Sequence, residues 1–205
     1  MKALILVDLQ VDFAPGGALA VPEGDGIVSL VNDLQERFEL VVATQDWHPA
    51  DHLSFAGNHG RNPGEVVRLG KCDQVLWPDH CVQGTGGAAF LPGLRQEGID
   101  RVFRKGEDRR VDSYSGFYDN DGVRQTGLSA YLKERGVTAV YIAGLATDYC
   151  VKFTALDACR LGFDTYVIVD ASRGVNLNPG DVDRALEEMA SRGIRLIESD
   201  ALLSR

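Results

Sequence analysis

The chain has 205 residues, 44% of them hydrophobic, which suits one sizeable domain over residues 1–205 rather than two. A formal charge of -9 argues against a general affinity for nucleic acid or anionic membranes, and no apolar run approaches a membrane span. The four cysteines, Cys72, Cys81, Cys150 and Cys159, lack a tight framework spacing, so a soluble protein of the reducing cytoplasm is expected rather than a disulfide scaffold.

The first apolar run, residues 3–7, is too short for a signal peptide and is followed at once by Asp8 and Asp12, so it predicts a strand. A helix over 27–38 and a strand over 40–44 come next. Residues 46–94 break the rhythm, being rich in Gly, Pro, Asp and His with little periodicity. All four histidines (His48, His52, His59, His80) and both tryptophans (Trp47, Trp77) fall there, and a disordered loop would not concentrate those types. An ordered, site-building insertion is expected. Strands then follow at 101–103, 139–143, 165–169 and 194–197, with helices at 128–135, 148–161 and 179–191. Gly136 and Gly162 each stand between a helix and a strand, as C-cap glycines should. The pattern is α/β: a Rossmann-like, mainly parallel six-stranded sheet with helices on both faces.

Open parallel sheets bind ligands beyond the carboxyl ends of their strands. Asp8, then Asp46 and His48, then Lys105, then Cys150 lie at four successive ends. Cys150 is placed in the first turn of a helix with Thr147 and Asp148 as N-cap candidates, where the dipole and free N–H groups favour a thiolate and could hold an oxyanion. Each residue also has a plain reading. A free cysteine often just packs a helix on a sheet, an aspartate can cap a loop, and most lysines are solvated.

Asp46-Trp47-His48 leaves a strand with a carboxylate and an imidazole on one side. With a third ligand from afar, that pair suits a divalent ion that keeps open positions. His80 is the choice for the third ligand, His52 a fourth ligand or supporting partner, and His59 the weakest candidate. Surface histidines in a polar loop are the alternative. Phe13 and Trp77 read by residue type as core aromatics.

Together these segments resemble bacterial nicotinamidases and pyrazinamidases, within the isochorismatase-like cysteine hydrolases. The resemblance is carried by Val7-Asp8-Leu9-Gln10-Val11-Asp12-Phe13, Thr44-Gln45-Asp46-Trp47-His48-Pro49, Trp77-Pro78-Asp79-His80-Cys81, Lys105-Gly106, Asp112-Ser113-Tyr114-Ser115-Gly116-Phe117 and Gly144-Leu145-Ala146-Thr147-Asp148-Tyr149-Cys150. It implies Cys150 as nucleophile, Asp8 as general base and acid, and Lys105 as the third catalytic member. It further implies a cis Leu145–Ala146 peptide, with the N–H groups of Ala146 and Cys150 facing the oxyanion. Phe13 and Trp77 would sandwich a pyridine ring, with Tyr114 near its edge. Asp46, His48 and His80 would hold one divalent metal ion, zinc foremost and iron or manganese as alternatives, with His52 uncertain and Ser54 acting through water. That ion would position the pyridine nitrogen, supply an activated water, or both. The implied reaction converts nicotinamide to nicotinic acid and ammonia through a cysteine thioester, in NAD salvage, with pyrazinamide as a second substrate. Family members often form dimers or higher homo-oligomers. A ureido or carbamoyl amidase of the same superfamily would keep Asp8, Lys105 and Cys150 without needing the Asp46/His48/His80 set. A thiol redox module would need a C-x-x-C pair, which the chain lacks.

Overall fold

Short apolar runs separated by amphipathic helices can bury both sides of a strand, and the run Ala3-Leu4-Ile5-Leu6-Val7 is wholly buried. It forms the centre of strand β1 (Lys2–Val7) in a computed structural model that describes residues 1–204. The other strands are β2 (Leu40–Asp46), β3 (Val66–Leu69), β4 (Cys72–Val75), β5 (Arg101–Lys105), β6 (Ala139–Leu145), β7 (Asp164–Arg173) and β8 (Arg195–Ile197). Six of them make one sheet in the order β5-β2-β1-β6-β7-β8, and every pairing in it is parallel. The expected sheet was mainly parallel; the observed one is entirely so.

Alternate residues of β1 serve the two cores. Ala3, Ile5 and Val7 pack with helices α2 (Leu128–Glu134), α3 (Lys152–Arg160) and α4 (Asp181–Ser191) through Leu128, Leu132, Ala155 and Met189. Leu4 and Leu6 pack with α1 (Val28–Gln35) and α5 (Asp200–Leu203) through Val31, Leu34 and Leu202. Gly136 and Gly162 adopt positive φ at the ends of α2 and α3, as their sequence positions require.

The element bounds depart from expectation where polar residues are buried. Strands β2 and β5 run on to Asp46 and Lys105, past the last apolar residue of each run, and β6 runs two residues beyond the expected end, to Leu145. Gly144 permits that extension of β6, since its φ is +129° and a Cβ there would stand 2.1 Å from the carbonyl oxygen of Val7. The segment 147–151 is a π-helical turn rather than the first turn of an α-helix. Thr147 and Asp148 make no cap bond there, which corrects their expected role. The Asp148 carboxylate instead accepts the N–H groups of Val175 and Asn176, at 2.9 and 2.7 Å, and ties the turn to the loop after β7. Inside the 46–94 insertion, β3 and β4 form an antiparallel hairpin that the sequence reading did not separate from loop. The short helix α5 was also not anticipated.

Among the described residues no helix is long and apolar enough to cross a membrane, and all four cysteines are free.

Candidate active site

The sheet order reverses beside β1. The chain builds outward through β2 and β5, then returns to lay β6 on the other side of β1. Ligands of open parallel sheets bind at such a switch point, beyond the carboxyl ends. Asp8 follows β1 there and Cys150 follows β6, while Asp46 and Lys105 end the neighbouring strands in register with each other.

Lys105 is the hub. Its ammonium is buried and lies 2.6 Å from Asp46 Oδ1, 2.9 Å from Asp8 Oδ2 and 3.4 Å from Cys150 Sγ, and it also donates to the Ser113 carbonyl at 2.8 Å. Burial works against its charge, but Asp46 and Asp8 outweigh burial and hold its pKa well above the ordinary lysine value. Asp46 shows the converse: burial opposes its charge, and Lys105 and His48 overcome that and hold it well below the usual carboxylate range. Asp8 is raised, because burial there exceeds the help from Lys105. Its Oδ1 accepts the Thr44 hydroxyl at 2.6 Å, and Oδ2 pairs with the Lys105 ammonium at 2.9 Å, which uses at most one of its two lone pairs. The carboxylate therefore keeps a lone pair available beside the thiol. Asp8 itself sits at φ 47°, a left-handed conformation that aspartate tolerates better than most residues.

Burial raises the pKa of Cys150 well above the ordinary thiol value, and Asp8 and Asp46 add to this against Lys105. A thiol so placed needs a base beside it, which is the role the resemblance implies for Asp8.

A second cluster adjoins the first through Asp46. His48 Nε2 lies 3.5 Å and His80 Nε2 3.8 Å from Asp46 Oδ2, and the three donor atoms fall within 4.8 Å of one another. Both rings are oriented from behind. His48 Nδ1 donates to the Gly106 carbonyl at 2.9 Å and His80 Nδ1 to that of Pro78 at 2.8 Å. A carbonyl only accepts, so each Nδ1 carries a proton, and in the neutral ring the lone pair is on Nε2, as in a metal-ligating imidazole. Buried His48 Nε2 has no hydrogen-bond partner among the described residues. Two imidazole nitrogens and a carboxylate oxygen fit a borderline divalent cation, so the donor set passes the test its chemistry sets. His52 falls differently. Its Nδ1 is engaged by Ser54, and its free Nε2 groups with His48 and Asp112 rather than with Asp46 and His80. His59 lies outside both groups and bonds the Leu53 carbonyl.

Gly106 is required by this packing. Its φ is +68°, and a Cβ would stand 2.3 Å from His48 Cε1. Gly106→Ala is expected to displace the imidazole and lower stability by about 1–3 kcal/mol, as overpacking does. Urea unfolding measures this, and an unchanged midpoint would contradict the packing argument.

Above Cys150 opens a slot with about 370 Å³ of space, part of it open to solvent, walled by Phe13, Leu19, Trp77, His80, Tyr114, Tyr149 and Val175. Trp77 is held by donating its Nε1–H to Tyr114 Oη at 3.1 Å, and Tyr149 stands edge-on to the Trp77 ring. Ala146, next to the cis Leu145–Ala146 peptide, shares the floor with Cys150. Trp47 faces elsewhere and stacks under the Arg104 guanidinium. The catalytic, slot and three metal residues expected at the site thus come together, whereas His52, with Ser54 bonded to it, and His59 lie to one side of the three-donor group.

Residues 2–201 match the isochorismatase domain family. The chain belongs to that family. It is 51% identical over 199 residues to the nicotinamidase of Escherichia coli (strain K12), covering 95% of this chain and 93% of that relative. An Acinetobacter baumanii nicotinamidase/pyrazinamidase has the same fold with a TM-score of 0.96, at 49% identity and covering 98% of each chain. The pyrazinamidase of Pyrococcus horikoshii, solved in complex with zinc, gives a TM-score of 0.79 at 43% identity, covering 96% of this chain and 98% of that one.

Several supports in this isochorismatase-family site escaped the sequence reading. Thr44 holds Asp8, and Gln10 holds the Asp46 backbone through both its N–H and its carbonyl. Tyr149, Leu19 and Val175 join the slot walls. Thr44 and Gln10 do stand inside the motif segments, but nothing in their spacing marks them as supports.

Proposed function

We propose that the protein is a nicotinamidase, hydrolysing nicotinamide to nicotinic acid and ammonia through a thioester on Cys150, with pyrazinamide as a second substrate and NAD salvage as its role in the cytoplasm. The observation that carries the reading is the contact of Cys150, Lys105 and Asp8 at the foot of an aromatic slot.

In the proposed mechanism Phe13 and Trp77 hold the flat ring, Tyr114 lies near its edge, and the carboxamide carbon meets Cys150 Sγ. As the S–C bond forms, the thiol proton passes to the Asp8 carboxylate beside it. Charge developing on the amide oxygen is met by the N–H groups of Ala146 and Cys150. Lys105 keeps its proton throughout, since the two carboxylates favour its charge, and it offsets negative charge on Sγ and Asp8. Asp8 then gives its proton to the departing nitrogen, the C–N bond breaks, and ammonia leaves an acyl thioester. A water molecule attacks next, Asp8 takes a proton from it, and the thiol is released with that proton as the carboxylic acid departs.

Asp46, His48 and His80 would hold the divalent ion, zinc by our proposal. Such an ion would supply Lewis-acidic charge beside the slot, suited to orienting a ring nitrogen. Direct Asp46–Lys105 contact joins that site to the catalytic trio, so disturbance of one reaches the other.

The test is ammonia and nicotinate release from nicotinamide by the purified protein, before and after chelation. We expect turnover by the metal-loaded protein, at least about a tenfold loss on chelation, and recovery with zinc. No release by metal-loaded protein would overturn the reading and direct attention to ureido substrates. Recovery with iron or manganese alone would replace the zinc assignment.

A further inference from the structure

We infer that Gln74 is a positioning residue of the ring slot, holding the Tyr114 hydroxyl where it accepts the Trp77 indole N–H. This rests on the ring-slot reading above and adds to it a residue of the β3–β4 hairpin that does not itself wall the slot.

The hairpin is unusual in what it buries. Its strands read Val66-Val67-Arg68-Leu69 and Cys72-Asp73-Gln74-Val75, and Gln74, at 2% exposed, is the only one of these residues that is buried. A hairpin laid on a domain ordinarily turns apolar side chains inward, because a buried amide costs free energy unless its polar atoms are matched. The valines and the leucine of these strands are available for that role, yet the amide takes it.

The interior offers that amide three oxygens. Gln74 Nε2 lies 3.0 Å from Asp112 Oδ2, 3.1 Å from Tyr114 Oη and 2.8 Å from the Val75 carbonyl. The carboxylate and the carbonyl are acceptors, so the amide is fixed with its nitrogen toward them and its two N–H bonds shared among the three oxygens. Tyr114 Oη also receives the Trp77 Nε1–H at 3.1 Å, and an indole N–H can only donate. Both lone pairs of the phenolic oxygen are therefore met by N–H groups, one from the slot wall and one from the hairpin.

The backbones on either side are anchored separately. Trp77 donates its N–H to the Ser54 carbonyl and accepts the Ala56 N–H, both at 2.8 Å, and the Tyr114 N–H bonds Asn120 Oδ1 at 2.9 Å. Those bonds leave the indole free to turn about its side-chain torsions, and the bond to Tyr114 removes that freedom. Gln74 thus fixes the phenol, the phenol fixes the indole, and the indole is one flat wall of the slot. The competing explanation is that Gln74 only seats the hairpin on the domain.

A double-mutant cycle separates the two, using Gln74→Leu, Tyr114→Phe and their combination. Leucine is close to glutamine in volume and removes the donors. We expect Gln74→Leu to raise KM for nicotinamide and the dissociation constant of nicotinate about tenfold, the scale of one hydrogen bond, with kcat within about threefold. In the Tyr114→Phe background the same change should alter KM by less than about twofold, since the hydroxyl through which it acts is gone. Trp47→Phe, made in each protein, leaves Trp77 as the only indole. Its emission maximum should then move in the same direction in Gln74→Leu as in Tyr114→Phe. Gln74→Met carries the same expectations if Gln74→Leu does not fold. An unchanged KM in the folded variant, or an equal rise in both backgrounds, would overturn the inference and leave Gln74 as a seat for the hairpin, whatever happens to the urea midpoint. A wild-type protein that neither hydrolyses nicotinamide nor binds nicotinate would remove the substrate reading alone. The Trp77 emission then decides, and no movement in Gln74→Leu would overturn the inference as well.

Discussion

Cys150→Ala should lower ammonia release from nicotinamide by about 10⁴-fold or more, the scale of losing the nucleophile in an acyl-transfer site. The size follows from the surroundings. Cys150 is the one thiol lining the slot among the described residues, and Cys81, the next buried cysteine, packs in the core on the other side of the sheet with its pKa pushed well up by burial. Lys105 cannot substitute, since its charge is stabilised by two carboxylates. The alanine still fits the buried position, so circular dichroism and thermal unfolding should stay near wild type. Intact-mass analysis of quenched reactions should find an acyl adduct on the wild-type protein and none on the variant. Activity within about tenfold of wild type would show that the thiol is not the nucleophile.

Lys105→Met should be damaging twice over. Removing one member of a buried ion pair typically costs about 3–5 kcal/mol, because the remaining charges lose their partner in a medium that solvates them poorly. Here one ammonium serves both Asp8 and Asp46, and the side chain is fully enclosed. Methionine matches the volume, so the loss reports charge rather than a cavity. Activity should fall by about 10³-fold as well, since both the thiol and its base lose their neighbouring positive charge. Denaturant titration and steady-state kinetics on the same preparation measure the two effects. A variant of unchanged stability would mean that the carboxylates are protonated in the folded protein and that the ion-pair account is wrong.

The reach of the sequence is clearest at the strand ends. Asp8, Asp46, Lys105 and Cys150 were identifiable as neighbours because a parallel sheet aligns its carboxyl ends, whatever loops come between. His48 and His80 were identifiable by residue type and by the insertion that concentrates them. What the pattern could not supply was which side chain fills each remaining hydrogen bond. Gln10, Thr44 and Gln74 are ordinary polar residues by composition, yet each is buried and satisfies a functional group from another segment. The β3–β4 hairpin was missed because its four-residue strands are short and mostly exposed or half-buried, with little apolar periodicity.

Periodicity and residue type by themselves determined the six sheet strands, the main helices on both faces and the roster of reactive side chains, because burying a strand on both sides demands apolar runs and polar residues at their ends demand a reason. The tertiary structure alone decided the chemistry of those groups. Local sequence around Cys150 placed it where a helix dipole favours a thiolate, but burial, with Asp8 and Asp46 adding to it, pushes the thiol pKa up. Likewise His52 sits four residues from His48 in the chain, while the Ser54 contacts turn it toward Asp112 instead of Asp46. Desolvation and side-chain direction are set by the surrounding packed segments, and a linear pattern does not contain them.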